Sequence, residues 1–389
     1  MSVETQYEID AKWSSVDFGV NFMQMISEET NAVLSVYGKS VEGRDLYALR
    51  VGSGNRKIIA TSGVHGTEPA SREAFLMKTR DICYNVNGEY TDFLNEHDVI
   101  LIPTINPDRM HKTYRNAEDI DINRVIYRLD SPEGVNFLKL VRDFQPSVHL
   151  DLHEHSSFTE GDIRYVRPMH LDPNSDVYLR QLQMEVIDFL KVEMRSEGYS
   201  ADYYFDNNTG FGSLTSGMGI LGKLAFTTET HIRNSDLDYR LNAQKSSFDK
   251  SLYWVKDNWS KIENMNTVFE SNLPKEDSYF TLLQGMNPGA EMYTQATHEI
   301  IKLPYGYKPI DDFSEFIDVY NLKIDENGVI PVNQLAGRML PHLLDPRADT
   351  KVVKAELVYK DEENEERKKG GRYTKVKYDE WREVFIKYM

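Results

Sequence analysis

Three short runs, at residues 58–61, 99–104 and 148–151, are apolar almost throughout. No other feature constrains the fold as strongly. A strand apolar on both faces has to be covered on both faces, which suits the centre of a layered sheet. The segments between and after these runs read as helices. SREAFLMKTRDICYNV follows Pro69 and keeps its apolar residues on one face. SPEGVNFLKLVRDF opens on an N-cap serine with Pro and Glu in the first turn. Residues 176–197 form a long amphipathic helix, KLAFTTETH a further strand, and 241–262 a last helix. A helical lead-in fills the first thirty residues, and VLSVYGKSVEGRDLYALRVG reads as a hairpin around Glu42-Gly43-Arg44. Strands alternating with helices predict an α/β layer fold.

The texture changes after about residue 266. Pro, Gly and Asn punctuate the chain, and short β-like runs follow in HEIIKLPYGY, FIDVYNLKI and KAELVYK. The expectation is an α/β domain over 1–266 and a β-rich C-terminal domain over 267–389. KDEENEERKKGG within it reads as a solvated turn or loop.

A formal net charge of −17 speaks against nucleic acid, whose phosphates need a basic stripe. It also disfavours anionic membranes. A small anion can still be held by a local arginine cluster. The single cysteine, Cys83, allows no intramolecular disulfide and reads as a small buried apolar residue. The first residues, MSVETQYEIDAKW, show no basic and apolar leader, and no run approaches the ~18 apolar residues of a membrane span. The expected location is cytoplasmic, with release by a non-standard route left open. The oligomeric state is not legible.

Polar residues of catalytic type cluster where the apolar strands end, which is where ligands sit in an open α/β sheet. His65 and Glu68 stand three apart on one tight turn, and both are good zinc ligands. Alone, such a pair also fits a loop His beside a helix-start Glu. Asn106-Pro107-Asp108, Arg115 and Asp121-Ile122-Asn123-Arg124 follow the second apolar strand. They read either as a polar surface loop with ion pairs or as a carboxylate site, where a guanidinium binds in bidentate fashion beside a neutral donor. In His149-Leu150-Asp151-Leu152-His153-Glu154-His155, residues two apart share a strand face. His153 at the strand end would complete a three-ligand, open zinc site. His149 reads as a packed strand residue and His155 as a rim residue; Glu154 could position a substrate or be exposed. Glu229, at the end of the last apolar strand, is the natural general base. No G-x-S-x-G elbow and no P-loop is present.

In order and type, these groups resemble the M14 metallocarboxypeptidase family, from about Tyr37 to about Thr230. The resemblance implies a mixed central sheet with helices on both faces. It implies one zinc ion per chain, bound by His65, Glu68 and His153, with Asp121 orienting His65. It gives Arg115 the role of polarising the scissile carbonyl and stabilising the oxyanion. Asn123 and Arg124 would hold the substrate's terminal carboxylate, and Glu229 would be the base. The family's mobile tyrosine would be Tyr203 or Tyr204. The far end of the pocket should fall in 211–219, where Leu214 and Met218 would favour an apolar side chain; Arg164 and Arg167 would instead favour an acidic one.

There are departures from the family pattern. Arg109 follows Asp108 where many members have Gly, and Val125 follows the Asp-x-Asn-Arg motif where peptidases often have Asn. The DLHE setting of His153 is similar to the deacylase branch of succinylglutamate desuccinylase-like and aspartoacylase-like enzymes. The implied function is a zinc hydrolase cleaving an amide or peptide bond next to a free carboxylate. Its partner would be a peptide or acyl-amino-acid substrate. The alternatives are a zinc amidase or deacylase of N-acyl amino acids or cell-wall peptides, and a catalytically silent binding or structural protein.

Overall fold

The computed structural model describes residues 13–125, 129–155, 163–166, 177–204, 213–232 and 236–271. Toward the C-terminus it describes 280–283, 298–301, 306–309, 314–328, 330–331, 355–360 and 366–369. Eight strands form one sheet: β1 (Val33–Lys39), β2 (Asp45–Gly52), β3 (Arg56–Ser62), β4 (His97–Ile102), β5 (Val148–His155), β6 (Ile163–Val166), β7 (Ala201–Tyr204) and β8 (Leu224–His231). Their order is β1-β2-β4-β3-β5-β8-β6-β7. β4, β3, β5 and β8 run parallel at the centre; β1, β2 and β6 pair antiparallel to their inner neighbours. The sheet is therefore mixed. The chain leaves β3 for β4 on one side and later returns to place β5 on the other. The strand order thus reverses between β3 and β5, and a crevice opens past their carboxyl ends.

Alternating residues of the central strands face opposite cores. Ile58, Ala60, Leu150, Leu152 and Phe226 face one core. It is packed by α1 (Val16–Glu29), α2 (Pro69–Cys83), α6 (Val177–Ser196), α8 (Leu237–Asp257) and α9 (Trp259–Ser271). Ile59, Ile100, Ile102 and Ala225 face the other, under α5 (Pro132–Phe144), α7 (Leu214–Ile220) and α10 (Ser314–Tyr320). Helices cover both faces, as the apolar strands require. Ser131 caps α5 by accepting from Gly134 N at 3.0 Å, with Pro132 at the first helical position.

Some local expectations change. The last helix is two, α8 and α9, divided at Asn258. FIDVYNLKI does not continue as a strand: it contains most of α10, because Phe316, Val319 and Tyr320 recur at helical spacing and bury in the second core. Arg142 of α5 ties this helix down through the Asp318 carboxylate at 2.8 Å. Part of KDEENEERKKGG, Glu366–Lys369, is a strand paired with Ala355–Lys360 rather than loop. The other C-terminal strands also form small antiparallel sheets. Among the described residues no helix is long and apolar enough to cross a membrane.

His97 follows the short helix α3 (Thr91–Glu96) and opens β4 fully buried, its ring stacked on Phe93 at 4.2 Å and edge-on to Trp259 at 5.2 Å. Burial drops its pKa to about 4, with Arg56 adding to the effect and the Phe93 carbonyl opposing it. The folded protein thus keeps His97 neutral where an unfolded chain would protonate it. Its contribution is fully present above the ordinary histidine value and is lost as pH falls toward 4, by about 3 kcal/mol in all. Urea melts at pH 7 and pH 4.5 should show that loss in the wild type and a smaller one in His97→Phe. Equal losses would remove His97 as the cause.

Candidate metal centre

β3 ends at Ser62, and the chain turns through Gly63 in the left-handed region (φ +65). A side chain there would collide with the Pro103 carbonyl. The turn brings His65 to the crevice, and Glu68 occupies the N-cap of α2 with Pro69 behind it. Gly66 lets this loop lie against the next: a Cβ there would sit 2.0 Å from the Arg109 carbonyl oxygen. His153 comes from the carboxyl end of β5, the neighbouring strand.

Glu68 bridges the two histidines. Its Oε1 lies 2.6 Å from His65 Nδ1 and its Oε2 2.9 Å from His153 Nδ1. The backbone N–H of Glu154 donates to the same Oε2 at 2.9 Å. One ligand atom from each of His65, Glu68 and His153 lies within 4.8 Å of the other two. Each histidine is backed by a carboxylate on its far nitrogen: His65 Nε2 by Asp121 Oδ1 at 3.1 Å, His153 Nε2 by Asp151 Oδ2 at 2.8 Å. That is the pattern in which an outer carboxylate fixes the ring and its tautomer, leaving the inner nitrogen to a metal. Two imidazoles and a carboxylate suit a zinc ion with an open position.

The electrostatics favour a cation. Burial works against an imidazolium at His65, but Glu68 and the hydrogen bond to Asp121 outweigh it and carry its pKa to about 9. Burial likewise opposes charge at His153, yet Asp151 and Glu68 raise it well above the ordinary histidine value. The Glu68, Asp121 and Asp151 carboxyls, despite burial, are all held below their usual range by these histidines.

Glu229 stands on β8 in direct register with His153 on β5, so the two share a sheet face one strand apart. The residue is half-buried. Burial of the carboxyl pushes its pKa up to about 7, with Glu68 adding and His153, His65 and Arg124 opposing. Arg124 and Asn123 sit on α4 (Ile122–Val125). Asn123 Oδ1 accepts from Leu214 N at 2.8 Å at the start of α7, which leaves its amide NH2 as the donor end. Arg115 lies on the rim: its Nε donates to the Tyr114 hydroxyl at 2.9 Å and a terminal nitrogen to the Asp119 carbonyl at 2.6 Å. Tyr114 stands edge-on to His65, ring centroids 6.1 Å apart.

Other expected roles are revised. Glu154 neither faces a substrate nor is exposed. It is buried, held by Arg240 of α8 at 2.8 and 2.6 Å, with Ala70 N at 2.8 Å on its other oxygen. His155 is buried rather than on the rim, packed edge-on against His231. Leu214 and Met218 are fully buried in the core under α7, so neither is an accessible pocket lining. Tyr203 and Tyr204 have backbone in β7, but their side chains lie outside the described residues, as does that of Arg164; Arg167 lies outside them altogether. Asp151 is not among the site residues expected from the sequence. Its signal is the two-residue spacing to His153 on one strand face.

Residues 20–152 match the family model described as zinc carboxypeptidase (Peptidase M14). Carboxypeptidase 2 of Trichophyton rubrum is 30% identical over 129 residues, covering 33% of this chain and 22% of that protein. Carboxypeptidase D of Homo sapiens is 27% identical over 124 residues, covering 26% of this chain and 9% of that protein. The chain thus spans under a quarter of the length of these curated relatives. Among solved structures, a metallo-carboxypeptidase from Burkholderia cenocepacia superposes with a TM-score of 0.54 at 16% identity, covering 63% of this chain and 70% of that one. One from Pseudomonas aeruginosa, in complex with (2-guanidinoethylmercapto)succinic acid, gives 0.52 at 17% identity over 64% and 70%. The shared fold is that of the metallo-carboxypeptidases.

Proposed function

We propose that this chain, which carries an M14 zinc carboxypeptidase region over residues 20–152, is a zinc metallopeptidase that removes a C-terminal residue from a peptide. The observation that carries the reading is the β5–β8 register. It sets Glu229 beside His153, within electrostatic reach of both the histidine–carboxylate cluster and Arg124.

His65, Glu68 and His153 would hold one zinc ion, with Asp121 and Asp151 behind the two rings. Zinc bound there would polarise the scissile carbonyl and make water a nucleophile at neutral pH. The chain's own groups do the rest. Arg124 supplies a guanidinium and Asn123 a neutral N–H donor for the substrate's terminal carboxylate. Asn123 is pre-aimed for this by its bond to Leu214 N. Glu229 takes a proton from the attacking water as the carbon–oxygen bond forms. It delivers that proton to the amide nitrogen as the carbon–nitrogen bond breaks. A pKa near neutrality suits both transfers. Arg115 is assigned to the developing oxyanion, which it would reach from the rim beside Tyr114. The carboxylate assignment agrees with the succinic acid derivative bound by the Pseudomonas aeruginosa protein. The β-rich segment after residue 266 is assigned to a separate unit, fastened to the catalytic one through α10.

A peptide with a free C-terminal carboxylate should be cleaved at least about 100-fold faster than its C-terminal amide, since the amide leaves Arg124 without an anion. Equal rates would sink the carboxypeptidase reading. Turnover of N-acyl amino acids with none of peptides would move the same centre to the deacylase class.

A further inference from the structure

We propose that Asp151, Thr61 and His149 form a positioning relay behind His153, through which the sheet interior sets how tightly the centre holds its metal. The proposal rests on the zinc reading of that centre. Strand alternation puts residues 149, 151 and 153 of β5 on one face. The β3–β5 register then sets Thr61 directly beside Asp151. Three hydrogen bonds link them: His153 Nε2 to Asp151 Oδ2 at 2.8 Å, Thr61 Oγ1 to Asp151 Oδ1 at 2.7 Å, and His149 Nε2 to Thr61 Oγ1 at 2.8 Å. All four side chains are buried.

The donor chemistry leaves one arrangement. A carboxylate only accepts, so His153 Nε2–H and the Thr61 hydroxyl both donate to Asp151. Thr61 has then used its only proton, and its oxygen accepts from His149 Nε2–H. With Nε2–H committed to Asp151, His153 turns its Nδ1 toward Glu68, and a metal bound there would take the place of the Nδ1 proton that Glu68 accepts. Asp151 cannot rotate away from His153 without losing Thr61.

His149 is informative because it is costly. Its Nδ1 is buried with no hydrogen-bond partner, and the Phe137 ring stands 5.8 Å from its own. A phenylalanine would fill that place without an orphaned nitrogen; what it could not do is donate to Thr61. The support at His65 is of another kind. Asp121 sits at the start of α4, partly exposed, and is steadied by the Asn123 backbone N–H at 3.0 Å. His153 is therefore anchored from the core and His65 from a loop.

The test compares zinc dissociation constants, by competition with a chromophoric chelator, for the wild type, D151N, T61V, T61S and H149F. The visible spectrum of each cobalt-substituted protein gives a second readout, independent of turnover. D151N should weaken zinc by about 10–100-fold, the usual effect of losing a partner behind a ligating histidine. T61V and H149F should each weaken it by about fivefold, as for one lost neutral hydrogen bond. T61S keeps the hydroxyl and should restore wild-type affinity and cobalt bands. Should D151N fail to fold, the Thr61 pair decides alone. Unchanged zinc affinity and cobalt spectra in T61V and H149F would overturn the relay. A wild-type protein that takes up no zinc would instead overturn the metal reading on which it rests.

Discussion

Glu229→Gln is expected to lower kcat by about 10²–10⁴-fold while the protein keeps its zinc. Glutamine has nearly the same shape and can still hydrogen-bond, but it cannot take up a proton. Glu229 lies one strand from His153 and outside the ligand cluster, so its loss should not change metal content. Its pH signature has a definite sign. The base must be ionised to act, and burial holds its pKa up to about 7. Activity should therefore rise with pH through that limb and fall away on the acid side of it. The limb should vanish from the residual activity of Glu229→Gln. Turnover and zinc content measured on one preparation decide the matter. A variant within tenfold of wild type would mean that another group is the base.

His153→Ala is expected to cost most of the metal affinity. A four-ligand zinc site is worth ~10–16 kcal/mol, so one ligand is worth about 3–4 kcal/mol, or roughly 10²–10³-fold in the dissociation constant. Activity should go with it. The variant should also melt at lower temperature, because it leaves Glu68 and Asp151 buried beside a missing partner. His65→Ala separates the two effects: His65 sits nearer the surface, with partly exposed Asp121 behind it, so it should lose zinc with a smaller drop in melting temperature. If His153→Ala retained zinc as tightly as wild type, His153 would leave the ligand set.

Local chemistry was well written in the chain. The α5 cap, the proline that opens α2 and the apolar centres of β3, β4 and β5 follow from residues that are neighbours in sequence. FIDVYNLKI reads wrongly for a physical reason. A short apolar run fits a strand or a helix equally well, and the choice of α10 came from a hydrophobic face on α5 that lies far away in sequence. Glu154 is a similar case. Nothing beside it announces Arg240, which reaches it from α8, so its burial was not legible.

The sequence by itself determined the layered α/β fold and the short-range pairs of the centre: His65 with Glu68 on one turn, and Asp151 with His153 on one strand face. Both rest on backbone periodicity, a local property of the chain. Only the tertiary structure decided how these pairs meet. The strand order reverses between β3 and β5, and the β3–β5–β8 register aligns Thr61 with Asp151 and His153 with Glu229. Register is set by packing against helices distant in sequence. A slip of one residue would turn Glu229 to the opposite face and take the base away from the metal ligands.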